Sequence, residues 1–451
     1  MRILDKKRFN ALVNHSKSPF LEGFGEEFGW YSNEDESLLG VFVLDLIDHD
    51  YSCAILGKDE VGKYRAIEIT VSNTTLEELF VWMIEIFTTY SDSGQKIFPQ
   101  GDNENILDFF KLIVSEEKQH PFFKKLNEDI GQSAAKEIIQ KLMLHFIDID
   151  GNYIEQFQSN GFDARLWELY LNTYFYEENL YMNRDYHAPD FLVEKFGYKV
   201  AIEAVIVGRK EDTPIENFEE RLRESSFEED MERLKDEIPI KFGSPLFSKL
   251  KKEYWKLSHV ANNPLVFAIA DFHDNMAMTW TGSALHRYLY AVHHEHTYND
   301  DGELIITPLK IETHKFGDKE IPSGFFFQED AENISAILFS ASGTLSKFNR
   351  MGHQAGLGDK KVKLIRSGFY HKHDENASMP DFISYEVGID SNESWAEGIS
   401  MFHNPNAKFP VPEGLFPSIA HHHFKDGQIV SILPDIHPYS TTTMIVSTDN
   451  K

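Results

Sequence analysis

The stretch "HAPDFLVEKFGYKVAIEAVIVGRK", His187 to Lys210, decides how the rest of the chain is read. Asp190 stands between Pro189 and Phe191, and Glu203 interrupts an otherwise apolar Val-Ala-Ile and Ala-Val-Ile-Val. The two β-rich runs are joined by Glu194-Lys195-Phe196-Gly197-Tyr198, which predicts a hairpin with Gly197 taking the positive φ of a tight loop. A hairpin centred between Phe196 and Gly197 pairs Lys195 with Tyr198 and, stepping outward, Asp190 with Glu203. Directly opposed residues have Cβ atoms about 4.5–5.5 Å apart. Two carboxylates that close repel unless something lies between them. A divalent cation is the economical answer, since Mg²⁺ favours one or two carboxylates together with waters and phosphate oxygens.

Glu203 is the harder of the pair to explain without a role, because an acid inside an apolar strand is costly to bury unpartnered. For Asp190 the plain alternative is a turn residue after proline. A third acid fits the same place. Glu168 lies in the predicted helix "DARLWELYLNTYFYEE", with Ala164, Leu171 and Phe175 at i−4, i+3 and i+7, so it emerges at the edge of the apolar face. It could equally be a solvated glutamate on that helix.

A helix-borne Glu168, then Pro189-Asp190, then Glu203 in a second strand, followed by a helix and a buried strand, resembles the PD-(D/E)xK nuclease superfamily. The resemblance covers roughly residues 160–275 and rests on a short motif. It implies a restriction-endonuclease-like αβββαβ core and Mg²⁺- or Mn²⁺-dependent phosphodiester hydrolysis. Asp190 and Glu203 would be metal ligands, assisted by Glu168. It also implies nucleic acid as partner, DNA before RNA, and a setting in restriction or anti-phage defence. The family usually carries lysine two residues after the second acid, and here that position is Val205. Lys199, on the same strand face, lies about 13 Å away at strand rise, too far to replace it. Replacements are sought in "LFSKLKKEYWKL", read as a helix after Ser244-Pro245, where Lys249 and Lys251 flank the stripe of Leu246, Phe247, Leu250, Tyr254 and Leu257. A solvated helix flank is the alternative for both lysines. If neither substitutes, the chain is a non-catalytic nucleic-acid-binding or assembly protein on a degenerate nuclease fold.

The 451 residues, 41% of them hydrophobic, suffice for two or three cores. Cys53 is the only cysteine, which excludes an internal disulfide and a cysteine-based zinc cluster. A cytoplasmic protein with no membrane partner is expected, and self-association into a homo-oligomer is compatible with the chain. The net charge of −29 argues against an all-over polyanion binder. Charge is uneven, however: residues 211–237 carry twelve acids and four bases, whereas 241–256 has five lysines against Glu253 alone. A locally basic groove on an acidic body follows from that pattern.

The expected organisation is a mixed α+β or α/β chain in three parts. Residues 1–150 form an N-terminal antiparallel α+β region. Its strands are "LLGVFVLDL", "YSCAILG" and "KYRAIEITV", a Thr75/Glu78 capping box opens a helix, and a further helix starts at Ser133. Residues 160–345 form the nuclease-like core, a mixed sheet flanked by helices, with helices at roughly 215–236 and 245–258. Residues 346–451 form an irregular extension packed on that core. The tract "DIDGNYIEQF" fails the EF-hand spacing. "SASGTLSKFNRMGHQAGLG", from Ser340, offers Lys347 and Arg350 as substrate contacts, or else a packing loop. The runs "HHEH" at 293–296 and "HHH" at 421–423 lack i, i+4 helix spacing and are expected on loops or polar surface, with a histidine metallohydrolase as a distant third reading. His187 is placed at the rim of the acidic site.

Overall fold

A computed structural model describes residues 1–19, 23–101, 108–148, 150–209 and 226–447. Most of the acidic tract from 211, and with it much of the helix expected at 215–236, lies outside the described residues. No described helix is long and apolar enough to cross a membrane. The class is mixed α+β.

Strands Gly25–Ser32, Leu38–Asp45, Tyr51–Lys58 and Tyr64–Asn73 form an antiparallel meander, with Arg2–Ile3 added at one edge. The helix Leu76–Ser93 starts at the predicted capping box, in which Thr75 and Glu78 satisfy each other's backbone amides. It buries Leu79, Met83 and Phe87 against Leu38, Phe42 and Ile55.

The central sheet has eight strands in the order Gln428–Ile432, Ala420–Lys425, Ile399–His403, Ala336–Ser340, Leu265–Asp271, Tyr198–Val207, Phe191–Lys195, Tyr181–Asn183. Its middle three strands are parallel. They are covered on both faces, which is why they read as continuous apolar runs rather than alternating ones. Phe162–Glu177 packs on one face, where Trp167 and Tyr170 join Ile202, Val266 and Leu338. Glu237–Leu250 and Gly282–Tyr290 cover the other, meeting Val205, Phe267 and Ile337.

Three expectations are corrected. The chain after 346 is not irregular: it supplies three strands of the central sheet and a separate sheet of Val362–Tyr370, Asp381–Val387 and Pro438–Ser447. The first 150 residues are not one unit, because Phe123, Ile139 and Leu142 share a core with Trp167, Val266 and Ile419. Helix Ser133–Met143 is pinned to helix Leu345–Gln354 through Asn349, which donates to Gly131 O at 2.8 Å and accepts from Ala135 N at 3.1 Å. Finally, the helix expected from Pro245 begins at Glu237 and runs through the proline to Leu250. Ile238, Phe242, Leu246 and Leu250 recur every four residues and are all buried. Burying that stripe outweighs the amide hydrogen bond lost at Pro245.

Candidate active site

The hairpin has the register the sequence predicts. Phe191 pairs with Ile202 and Lys195 with Tyr198, so Asp190 and Glu203 stand at the next position outward. Pairing ends there, while the Glu203 strand continues to Val207. At the fork the Asp190 side chain takes over from the strand pairing: its Oδ2 accepts from Ala204 N at 2.7 Å. The Asp190 amide in turn donates to Glu203 Oε2 at 3.3 Å. Helices from both sheet faces reach the fork and flank an open cleft of about 410 Å³ lined by residues that include Glu168, Asp190, Ala204, Ser248 and Lys249.

Glu203 is buried, at 4% exposure. Its carboxylate is met by the Lys249 ammonium and by the Tyr254 hydroxyl, which donates at 2.8 Å. Lys249 lies in the last turn of the helix Glu237–Leu250, which ends beside the fork. Glu168 projects from the opposite helix and takes two hydrogen bonds from Arg165 Nη1, at 2.7 and 2.9 Å. Arg184 Nη1 donates to the Asp190 carbonyl at 3.3 Å and its Nη2 reaches Asn172.

The three carboxylates are not electrostatically equal. Glu203 has Lys249 and Glu168 has Arg165, whereas Asp190 is met by a backbone amide. Burial, then the charges of Glu203 and Glu168, push Asp190 up to about 8. Glu168 is also raised, chiefly by burial, with Arg165 acting against the shift. Asp190 is thus the one of the three without a side-chain cation, among the described residues, bonded to its carboxyl; Arg184 meets only its backbone carbonyl. Among the described residues, no three His, Cys, Asp or Glu side chains are grouped so as to hold a metal ion by themselves.

Other sequence candidates lie elsewhere. Lys251 does not join the carboxylates: it caps the helix on the exposed side, with Nζ 4.3 Å from the Phe247 ring centroid. Lys347 and Arg350 are turned into the core rather than toward solvent. They are 0% and 2% exposed and both bind Glu393, Lys347 at 2.7 Å and Arg350 at 2.7 and 2.8 Å. The glycine-rich look of that segment comes instead from close packing, since a side chain at Gly352 would meet the Ala134 carbonyl. Both histidine runs lie on strands, not loops. His421 and His423 flank His403 on one face and His422 stacks on Phe402. His187 is exposed, 3.3 Å from Asp150.

Sequence reading missed Arg165, Arg184 and Tyr254. Arg165 was findable as the i−3 partner of Glu168. Tyr254 looked like part of an apolar helical stripe, but it sits in a separate 3₁₀ turn, Tyr254–Lys256, where its hydroxyl turns back to Glu203.

Comparison with known protein families, curated proteins and solved structures gave no match.

Proposed function

We propose that the chain is a divalent-metal-dependent phosphodiesterase acting on nucleic acid, of the PD-(D/E)xK kind. The observation that carries this reading is the convergence of Glu168, Asp190 and Lys249 on one cleft at a strand fork, with the buried Glu203 directly behind it, bonded to Lys249 and to the Asp190 amide. The order helix, three antiparallel strands, helix, parallel strand from Phe162 to Asp271 supports it as the αβββαβ arrangement the resemblance implies.

The chemistry of the donors supports a hard cation, bound by carboxylates together with waters or phosphate oxygens rather than by side chains alone. The raised Asp190 marks a place where added positive charge is favourable. Asp190 and Glu203 would hold the ion, with Glu168 assisting. When bound, such an ion supplies Lewis-acid polarisation of a phosphoryl oxygen. Lys249, from a helix rather than from position 205, brings an ammonium that offsets charge developing on the phosphoryl group. Arg165 fixes the rotamer of Glu168, and Tyr254 fixes that of Glu203.

One observation favours the non-catalytic alternative: Glu203 Oε1 is already satisfied by Lys249 and Tyr254 without an ion. A plasmid-nicking assay with Mg²⁺ or Mn²⁺ separates the two. Turnover by the wild type that falls by at least about 100-fold in Asp190→Asn is the result expected of an enzyme. Equal, negligible turnover in both proteins favours the binder.

A further inference from the structure

We infer that the surface beside the carboxylate cleft is built for single-stranded nucleic acid, an inference that rests on the proposed function and names its substrate class. Tyr186 and His259 lie face to face, with ring centroids 3.8 Å apart and planes 8° from parallel. The pair is anchored at the cleft, because His259 Nε2 is 2.7 Å from the carbonyl of Ala188, two residues before Asp190. His259 covers one face of the tyrosine, and Tyr186 remains 39% exposed. A two-ring stack with an accessible outer ring is extended by a nucleobase, and every base has a face to offer. Phe247, on the helix that delivers Lys249, is 42% exposed, with the Lys251 ammonium 4.3 Å from its ring centroid.

The charge matches. Lys249, Lys251, Lys252 and Lys256 fall within eight residues, opposed there only by Glu253, on a chain of net charge −29. Lys251, Lys252 and Lys256 are exposed. Basic groups interleaved with exposed rings track a phosphate backbone while stacking its unpaired bases. A duplex keeps its bases stacked on each other, so it would use the lysines and leave the rings idle.

The test is fluorescence anisotropy in EDTA, with labelled oligothymidylate and a mixed-sequence duplex of equal length. The single strand should bind at least about tenfold tighter. Tyr186→Ala should weaken the single strand by about 5- to 100-fold and leave the duplex unchanged. The double variant K251E/K252E should weaken both and reduce the dependence on salt. Thermal melting confirms that each variant is folded. Duplex affinity equal to or above that of the single strand, or a Tyr186→Ala protein indistinguishable from wild type, overturns the inference. If metal-dependent duplex cleavage is nevertheless lost in Asp190→Asn, the nuclease reading stands without it. Absence of binding and cleavage with both probes removes both.

Discussion

The backbone amide of Asp190 donates to the side chain of Glu203 at 3.3 Å, which holds the two acids as neighbours one step beyond the last strand pair, Phe191 with Ile202. Their proximity has a measurable consequence. An unfolded aspartate titrates near about 4, whereas Asp190 is pushed up to about 8, first by burial and then by Glu203 and Glu168. Between those values the folded chain keeps a proton that the unfolded chain releases. The associated stability is present below the lower value and is lost as the pH rises through the upper one. Metal-free protein should therefore melt at progressively lower temperature across that interval. Glu177, raised to about 7 by burial, adds a slope of the same sign, so Asp190→Asn should flatten the profile without abolishing it. An Asn variant with an unchanged profile would refute the assignment.

The same titration couples to ions. A cation held by Asp190 must displace its proton, so binding releases protons and strengthens with pH. Mg²⁺ or Mn²⁺ should raise the melting temperature more at pH about 8 than at pH about 5. Differential scanning fluorimetry decides this, and an ion-induced shift independent of pH would count against an Asp190 site.

Lys249 and Tyr254 share one carboxylate but not one role. Lys249→Met should lower cleavage by about 100-fold. It should also destabilise the fold by about 1–3 kcal/mol, because Glu203 is left buried with less than its full set of donors. Tyr254→Phe removes a single hydrogen bond and should cost about 1 kcal/mol with a several-fold loss of rate. Urea denaturation with single-turnover kinetics distinguishes the two. A Tyr254→Phe loss as large as that of Lys249→Met would mean the hydroxyl does more than orient Glu203.

Lys347, Arg350 and Arg366 converge on Glu393 and Glu397 within the core. Glu393→Ala leaves buried cations without their carboxylate and should destabilise by about 3–5 kcal/mol. Lys347→Ala should lower stability by similar logic while the folded fraction binds nucleic acid as the wild type does. Weakened binding by a folded Lys347→Ala protein would restore the substrate-contact reading.

Helix Leu345–Gln354 approaches helix Ser133–Met143 closely at Gly352. Gly352→Ala should cost about 1–3 kcal/mol through forced separation of the two helices, measured by chemical denaturation. A neutral result would show that the contact relaxes freely.

Local patterns made much of this legible. The hairpin register follows from one glycine and two apolar runs, and the capping box at Thr75 fixes a helix start. The three parallel strands announce themselves by length and continuous apolarity. What the sequence hides is non-local. Pro245 punctuates like a helix start, yet the i+4 stripe from Ile238 to Leu250 prevails. Lys347 and Arg350 look like polar loop residues because their partner, Glu393, is more than forty residues away in sequence. The strands Gly25–Ser32 and Ile399–His403 are hidden for a similar reason: their pairing partners, Leu38–Asp45 and Ala336–Ser340, define them.

The late strands of the central sheet also limit how the protein can be dissected. Ala336–Ser340 bonds on its outer side to Ile399–His403, which in turn pairs with Ala420–Lys425. A fragment cut near residue 346 would end with a bare, apolar β-edge, a template for self-adhesion rather than a soluble catalytic unit. The carboxylate cleft is encoded by residues 168–249, but the sheet that supports it is completed only by strands as distant as Gln428–Ile432.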